Sequence, residues 1–293
     1  MIHSAFLLSM VGVAWGLRHC RLSRLLGSGG KDQRKSLTIS QRWLYALLAL
    51  TVPPLTLLMS VVSILIMGPW EQGIPAWEGW LTYGLCWLIL LYGGALGIDL
   101  LWYNHLILRQ IRTWPQRTVQ GQSCRILETP RRFSGLFGLW HSELVLSQGL
   151  LDQLQPAQVA AVLAHEKAHL FYSDIGWFAL IHWLSRMFGF LPFTETLWKE
   201  LLLLRELRAD HWAAQRTDPF VLAESLVQVA RYPLLYRSDL CATLGSEVPP
   251  SRLQERVQAL LNPHVAQVKA SRVWLILGSI FACGPLLLIP FHR

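Results

Sequence analysis

Ala161-Val162-Leu163-Ala164-His165-Glu166-Lys167-Ala168-His169-Leu170 is the stretch that decides how this chain is read. On an α-helix, residues four apart share a face one turn apart. His165 and His169 can therefore offer ring nitrogens to one zinc ion. Glu166 lies about 100° further round the helix, beside the metal. There it can take a proton from a water whose pKa the metal lowers to about 7. An H-E-x-x-H pentad alone is a weak signal, since it also occurs by chance on ordinary helices. Its surroundings strengthen it. Pro156 after Gln155 marks a first helical position. Val159, Val162, Leu163 and Leu170 supply apolar packing, and Ala160, Ala161, Ala164 and Ala168 permit close approach. A helix buried on most sides needs partners for two histidines and a glutamate, and zinc is a suitable one.

A third ligand is supplied by Glu206, in Arg205-Glu206-Leu207-Arg208-Ala209-Asp210, within a helical stretch expected from Thr194 to Gln215. Glutamate completes a two-His, one-Glu site for one zinc ion per chain. Asp210, four residues on, shares the face of Glu206 and can accept a hydrogen bond from a ligand histidine, fixing its tautomer. The plainer alternative pairs Glu206 and Asp210 with Arg205 and Arg208 at the surface.

Gly138-Leu139-Trp140, Glu143 to Leu151, Leu163 to His169 and Asp174 together resemble the membrane metallopeptidases of the BlaR/MecR type, over roughly residues 130 to 260. These are gluzincins, in which an H-E-x-x-H helix and a later glutamate-bearing helix bind zinc. The run Glu206-Leu207-Arg208-Ala209-Asp210-His211-Trp212-Ala213 also resembles the HtpX and CAAX-prenyl-protease relatives. The resemblance implies zinc on His165, His169 and Glu206, Glu166 as general base and acid, and Asp210 supporting a ligand histidine. It also implies a substrate-pairing edge strand within Gly135 to Ser147, centred on Leu144, Val145 and Leu146, with peptide binding by β-augmentation. An ordinary sheet strand is the other reading of that segment. Two departures stand out. The stretch Val248 to Val257 lacks the histidine that HtpX relatives use to steady the transition state. The oxyanion donor is thus unassigned, with His211, Tyr172 and Arg256 as candidates. In addition, the chain ends at Arg293, so no penicillin-binding sensor domain of the BlaR kind is expected after the last span.

Composition points to the membrane. Hydrophobic residues make up 53%, charged residues 15%, and there are 14 tryptophans; mean hydropathy is +0.35. A soluble domain carries about 25% charged residues. The fold expected is a mainly α membrane protein with about four transmembrane helices and a cytoplasmic α+β gluzincin zinc-peptidase domain inserted before the last span. The spans are placed at 1–17, 43–67, 80–102 and 273–291, with a basic loop at 18–42 and an external loop at 68–79. The peptidase domain occupies 103–272 and includes an apolar helix at 175–193 that is either membrane-associated or buried. Pro53-Pro54 should kink the second span, Trp70, Trp77 and Trp80 suit an interfacial belt, and Gly93-Gly94-x-x-Gly97 suits close helix packing. Asp99 is either a functional intramembrane acid or an interfacial residue. Arg18, Arg21, Arg24, Lys31, Arg34, Lys35 and Arg42 follow the first span, Arg109, Arg112 and Arg117 follow the third, and the loop after the second has no lysine or arginine. The positive-inside rule then makes the first and third loops cytoplasmic and puts the peptidase domain on the cytoplasmic side of a bacterial-type plasma membrane.

The five cysteines show no C-x-x-C spacing, and the formal charge of +8 suits contact with anionic lipid. No nucleic-acid motif is present. The expected partners are a protein or peptide substrate, for which the BlaR/MecR resemblance suggests a BlaI-type transcriptional repressor, and the bilayer. The HtpX resemblance suggests turnover of damaged membrane proteins, and a non-catalytic zinc-binding transducer is a third reading.

Overall fold

The structure is a computed structural model and describes residues 2–26, 38–69, 77–230, 252–261 and 272–292. Lys31, Arg34 and Lys35, Trp70 of the aromatic cluster, and residues 248–251 lie outside them. The chain divides into two compact units. The first comprises Met1–Asp99, Trp183–Trp198 and Lys269–Arg293; the second comprises Leu100–His182 and Lys199–Val268.

In the first unit, α1 runs from Ile2 to Leu26, α2 from Ile39 to Met67, and α3 from Trp77 to Ile111, its last turns belonging to the second unit. α1 passes through the boundary expected after residue 17, because nothing between Arg18 and Leu26 breaks a helix. α2 begins with a capping box in which Thr38 Oγ1 accepts from Gln41 N and Gln41 Oε1 accepts from Thr38 N. Two helices are long and apolar enough to cross a membrane, Ile39–Met67 and Gly79–Ile111; Ala5–Gly16 within α1 is a shorter apolar run. The expected last span is not one α-helix. α10, Arg272–Ala282, gives way to a 3₁₀ helix over Gly284–His292, where Gly284 loosens the backbone and Pro285 and Pro290 each lack an N–H donor.

Pro53 and Pro54 cannot donate to the carbonyls four residues earlier, those of Ala49 and Leu50. Arg18 from α1 fills both gaps. Its Nε donates to Ala49 O at 3.0 Å and its NH2 to Leu50 O at 3.2 Å. Its NH1 reaches Pro192 O at 3.3 Å and the Thr194 hydroxyl. The buried guanidinium thus serves as a ready-made set of donors for a proline-broken helix. Elsewhere in α2, Thr51, Thr56, Ser60 and Ser63 bond back to carbonyls four residues earlier, a way of keeping hydroxyls satisfied in an apolar setting. Gly93 of α3 accepts Trp183 Nε1–H at its carbonyl, and a Cβ there would meet Met187 Sδ at 2.8 Å. The expected close packing at Gly93 is therefore intramolecular. Asp99 is exposed and pairs with Arg186 at 3.6 Å.

The second unit holds a four-stranded sheet of order β1-β2-β4-β3. β1 is Gln116–Val119, β2 Gln122–Leu127, β3 Ser134–Phe137 and β4 Glu143–Ser147. A tight turn with positive φ at Gln120 and Gly121 joins β1 to β2. β4 runs parallel to β2 and antiparallel to β3, with Ser134 opposite Leu146 and Leu136 opposite Leu144. This corrects the expected edge strand. Leu144, Val145 and Leu146 are interior, their backbone flanked by strands on both sides, and the edges are β1 and β3. After α4 (Gln148–Gln153) come α5 (Pro156–Phe171), α6 (Asp174–Met187), α7 (Thr194–Ala214), α8 (Pro219–Ala230) and α9 (Leu253–Leu261). Ile126, Leu136, Leu144 and Leu146 from the sheet pack with Val159, Val162 and Leu163 of α5 and Ile175 and Ala179 of α6. The apolar helix expected over 175–193 ends at Met187, and its Ile175, Phe178 and Ala179 are buried.

Arg18→Leu should lower stability by about 2–4 kcal/mol in detergent denaturation, since it strands two buried carbonyls. In a Pro53→Ala/Pro54→Ala background, where those carbonyls regain backbone donors, the same substitution should cost clearly less. Equal costs in both backgrounds would refute this role.

Candidate metal centre

α5 starts with Pro156 behind a Gln155–Gln158 capping box, which fixes the rotation of the helix. Small residues then set its neighbours close. Ala161 packs with Ala213 and Leu222, and Ala168 packs with Ala209 and Trp212. This alanine seam lets α5 and α7 approach until their polar faces meet. His165 Nε2 lies 3.2 Å from His169 Nε2, and Glu206 places Oε2 3.3 Å from His165 Nε2 and Oε1 3.7 Å from His169 Nε2. One ligand atom from each of the three residues falls within 4.8 Å of the others, and all three residues are buried.

The opposite edge of each imidazole faces its own carboxylate. His169 Nδ1 bonds Asp174 Oδ2 at 2.8 Å. His165 Nδ1 lies 2.8 Å from Asp210 Oδ1, at an angle outside good hydrogen-bond geometry. Both Nδ1 atoms thus turn outward and both Nε2 atoms inward, as ligand histidines require. Glu166, next along α5, accepts a hydrogen bond from Ser134 Oγ at 2.8 Å.

A carboxylate with no exposure at all, as Glu206 has, must be compensated. Arg205 Nε and NH2 donate to Glu206 Oε1 at 3.0 and 2.9 Å. Arg256 of α9 donates to both Asp210 oxygens at 2.7 and 2.8 Å and approaches Glu206 Oε2 at 3.4 Å. Arg208 pairs with Asp174 and lies 4.0 Å over the Tyr172 ring. Burial alone would raise the Glu206 carboxyl, but Arg205, His169 and Arg256 hold it well below the usual range. Asp210 is lowered in the same way, with Arg256 overcoming burial. Burial would depress His165, yet Asp210 and Glu206 outweigh it and carry the ring up to about 10. His169 is raised against burial by Glu206 and Asp174.

The donors fit a zinc ion. Glu206 Oε2 is buried with no hydrogen-bond partner, it faces two inward imidazole nitrogens, and a two-nitrogen, one-carboxylate set is a zinc set. Four carboxylates (Glu166, Asp174, Glu206, Asp210) stand against three guanidiniums (Arg205, Arg208, Arg256), so neutral imidazoles leave a surplus negative charge for a cation.

The four residues expected from the sequence, His165, His169, Glu206 and Asp210, are brought together, with Glu166 beside them. The alternative ion pairs form only in part. Arg205 does bind Glu206, but in the interior, and Arg208 goes to Asp174. Of the oxyanion candidates, Arg256 is committed to Asp210 and Glu206, Tyr172 carries Arg208, and His211 Nε2 bonds Gln215 at 3.0 Å. Ser134 and the structural part of Arg256 were not foreseen. Asp174 entered the sequence reading without a role; its place five residues after His169 is the signal that could have given it one.

Two imidazoles one helical turn apart, a glutamate from a second helix and a further carboxylate beside the first histidine are the arrangement of a single-zinc metallopeptidase. Residues 133–205 match the model of peptidase family M48. The match runs from the start of β3, through both histidines, to the residue before Glu206, and supports metallopeptidase activity; it does not reach a BlaR/MecR-type specificity. No curated protein matches the chain.

Purified protein should carry about one zinc per chain, Glu206→Ala should lose it, and Asp174→Ala and Asp210→Ala should each weaken it by about 10–100-fold in chelator competition. Metal-free protein stores stability in the protonated His165 ring. That contribution is complete below the unfolded value of 6.5 and lost as pH rises through about 10. Denaturation of the metal-free protein should thus show falling stability over this window, and zinc-loaded protein should not.

Proposed function

We propose that the protein is an integral-membrane zinc endopeptidase that cuts a protein substrate at the cytoplasmic face, in regulatory signalling. The observation that carries this reading is the convergence of His165, His169 and Glu206 next to Glu166, one of whose oxygens is held by Ser134. A zinc ion held there would polarise the scissile carbonyl and acidify a water molecule. The chain's own residues do the rest. A substrate strand would pair with the outer border of β3, whose four residues are buried and would have to be uncovered for it. Ser134 occupies one oxygen of Glu166 and leaves the other to accept the water proton. The water oxygen adds to the carbonyl carbon, the C–N bond breaks, and Glu166 delivers the proton to the departing amine. Asp174 keeps the His169 imidazole in one tautomer, and the Asp210 carboxylate faces His165 Nδ1, while charge shifts.

The reading takes four spans, and the placement of lysine and arginine then favours both termini outside and a cytoplasmic peptidase unit. A BlaI-type repressor is the substrate suggested by the BlaR/MecR resemblance. Quality control of membrane proteins is the second reading, favoured by the Glu206-to-Ala213 run shared with HtpX relatives.

Glu166→Gln should reduce cleavage by about 10²–10⁴-fold while zinc content is unchanged. Comparing the cellular proteins that accumulate in Glu166→Gln cells with wild type distinguishes the readings. One accumulating repressor supports signalling, and many membrane proteins support quality control. Normal signalling and full proteome turnover in the variant would leave a zinc-binding transducer.

A further inference from the structure

Three tryptophans of the second unit are far more exposed than their size and polarity favour. Trp102 is 63% exposed, Trp140 76% and Trp177 62%. They sit on neighbouring elements. The turn carrying Trp140 is wedged against α3 on one side, where a Cβ at Gly138 would stand 3.2 Å from Leu108 Cδ2. On the other side it meets α6, where a Cβ at Gly176 would stand 3.6 Å from the Leu139 carbonyl oxygen. Leu139, Ile175 and Ala179 share one core cluster with Leu100 and Tyr103 of α3. The buried side of each element therefore faces the others, and each tryptophan lies on the outward side of its own element.

What surrounds them is apolar as well. On α3, Leu101, Trp102, His105 and Leu106 form an exposed stripe that ends at exposed Arg109. On α6, Leu180 lies one turn from Trp177 and is 51% exposed. The candidate span Gly79–Ile111 includes this α3 stripe, so a membrane-crossing helix delivers one edge of the patch directly. Tryptophan combines an apolar body with an N–H donor and concentrates at lipid headgroup level, with arginine at the phosphates.

We infer that Trp140, Trp177 and Leu180 extend the membrane contact of α3 into an interfacial lipid-binding surface, on which the second unit rests against the bilayer. A bilayer is the occupant that continuity with the span selects. An apolar patch at the side of a membrane helix meets lipid without any further partner. The surface lies close to the metal centre, because Trp177 is three residues, about 4.5 Å of helix rise, beyond the His169 partner Asp174.

The test uses full-length protein in nanodiscs of phosphatidylethanolamine and phosphatidylglycerol, footprinted with hydroxyl radicals and read by mass spectrometry. Phe220, equally exposed on α8, is the internal reference. After correction for intrinsic reactivity, Trp140 and Trp177 should be protected by about five-fold or more relative to Phe220. Reactivity comparable to that of Phe220 overturns the inference. A second arm uses phospholipid bearing a photoreactive diazirine near the headgroup. Lipid adducts on Trp140 or Trp177 support the inference, and protection without adducts means that protein covers the patch, which also overturns it. Both arms are run on Glu166→Gln protein as well. Neither reads catalysis, so failure here leaves the peptidase reading intact.

Discussion

A carboxylate removed entirely from water at the junction of two helices is the constraint on which the second unit depends. Glu206 can be buried only because Arg205 and Arg256 flank it and two imidazoles face it. Those groups are themselves buried and need partners, so the requirement spreads outward. Arg256 binds Asp210, and Asp174 holds both His169 and Arg208. The result is a closed set of alternating charges tying α5, α6, α7 and α9 together. Removing any one member leaves another unpaired in a low-dielectric interior, which is costly. The alanine seam between α5 and α7 brings these groups close enough to interact. Bulkier residues at 161, 168, 209 or 213 would hold the helices apart and leave the same charges stranded.

The part of the centre that can be read from the sequence is the part set by helical periodicity. His165 and His169 are spaced by one turn with Glu166 adjacent to the first, Glu206 and Asp210 are spaced by one turn, and apolar or alanine flanks say which way each face points. Long-range partners carry no such local mark. Ser134 reaches Glu166 across 32 positions, and Arg256 reaches Asp210 across 46. The edge of the sheet was misplaced for a related reason. β3 is four residues long and buried throughout, so it lacks the alternation that marks a strand with one wet face. β4, with β-branched and leucine residues, reads more clearly as a strand, but strand order is a tertiary property.

In the first unit, apolar composition located the helices better than their ends or their type. Pro53 and Pro54 were visible as a break, but nothing nearby indicated that Arg18 would satisfy the freed carbonyls. A basic residue just after an apolar run reads as the start of a cytoplasmic loop. Here it instead turns inward as a donor, and the helix continues past it. Similarly, the run from Val273 to Pro290 is apolar enough for a span, while its glycine and prolines divert it into 3₁₀ geometry.

The bond from Ser134 to Glu166 joins two tasks in one short strand. Ser134 opens β3, an edge strand of the sheet, and its hydroxyl anchors the Glu166 carboxylate. Any sliding of β3 along β4 would therefore shift the backbone template and the carboxylate together. A guest chain laid against that template would meet the carboxylate at a spacing set by main-chain geometry, whatever its side chains. In the proposed peptidase such coupling would favour choosing a cleavage position by how far a chain is threaded over choosing it by the identity of the residues at the cut.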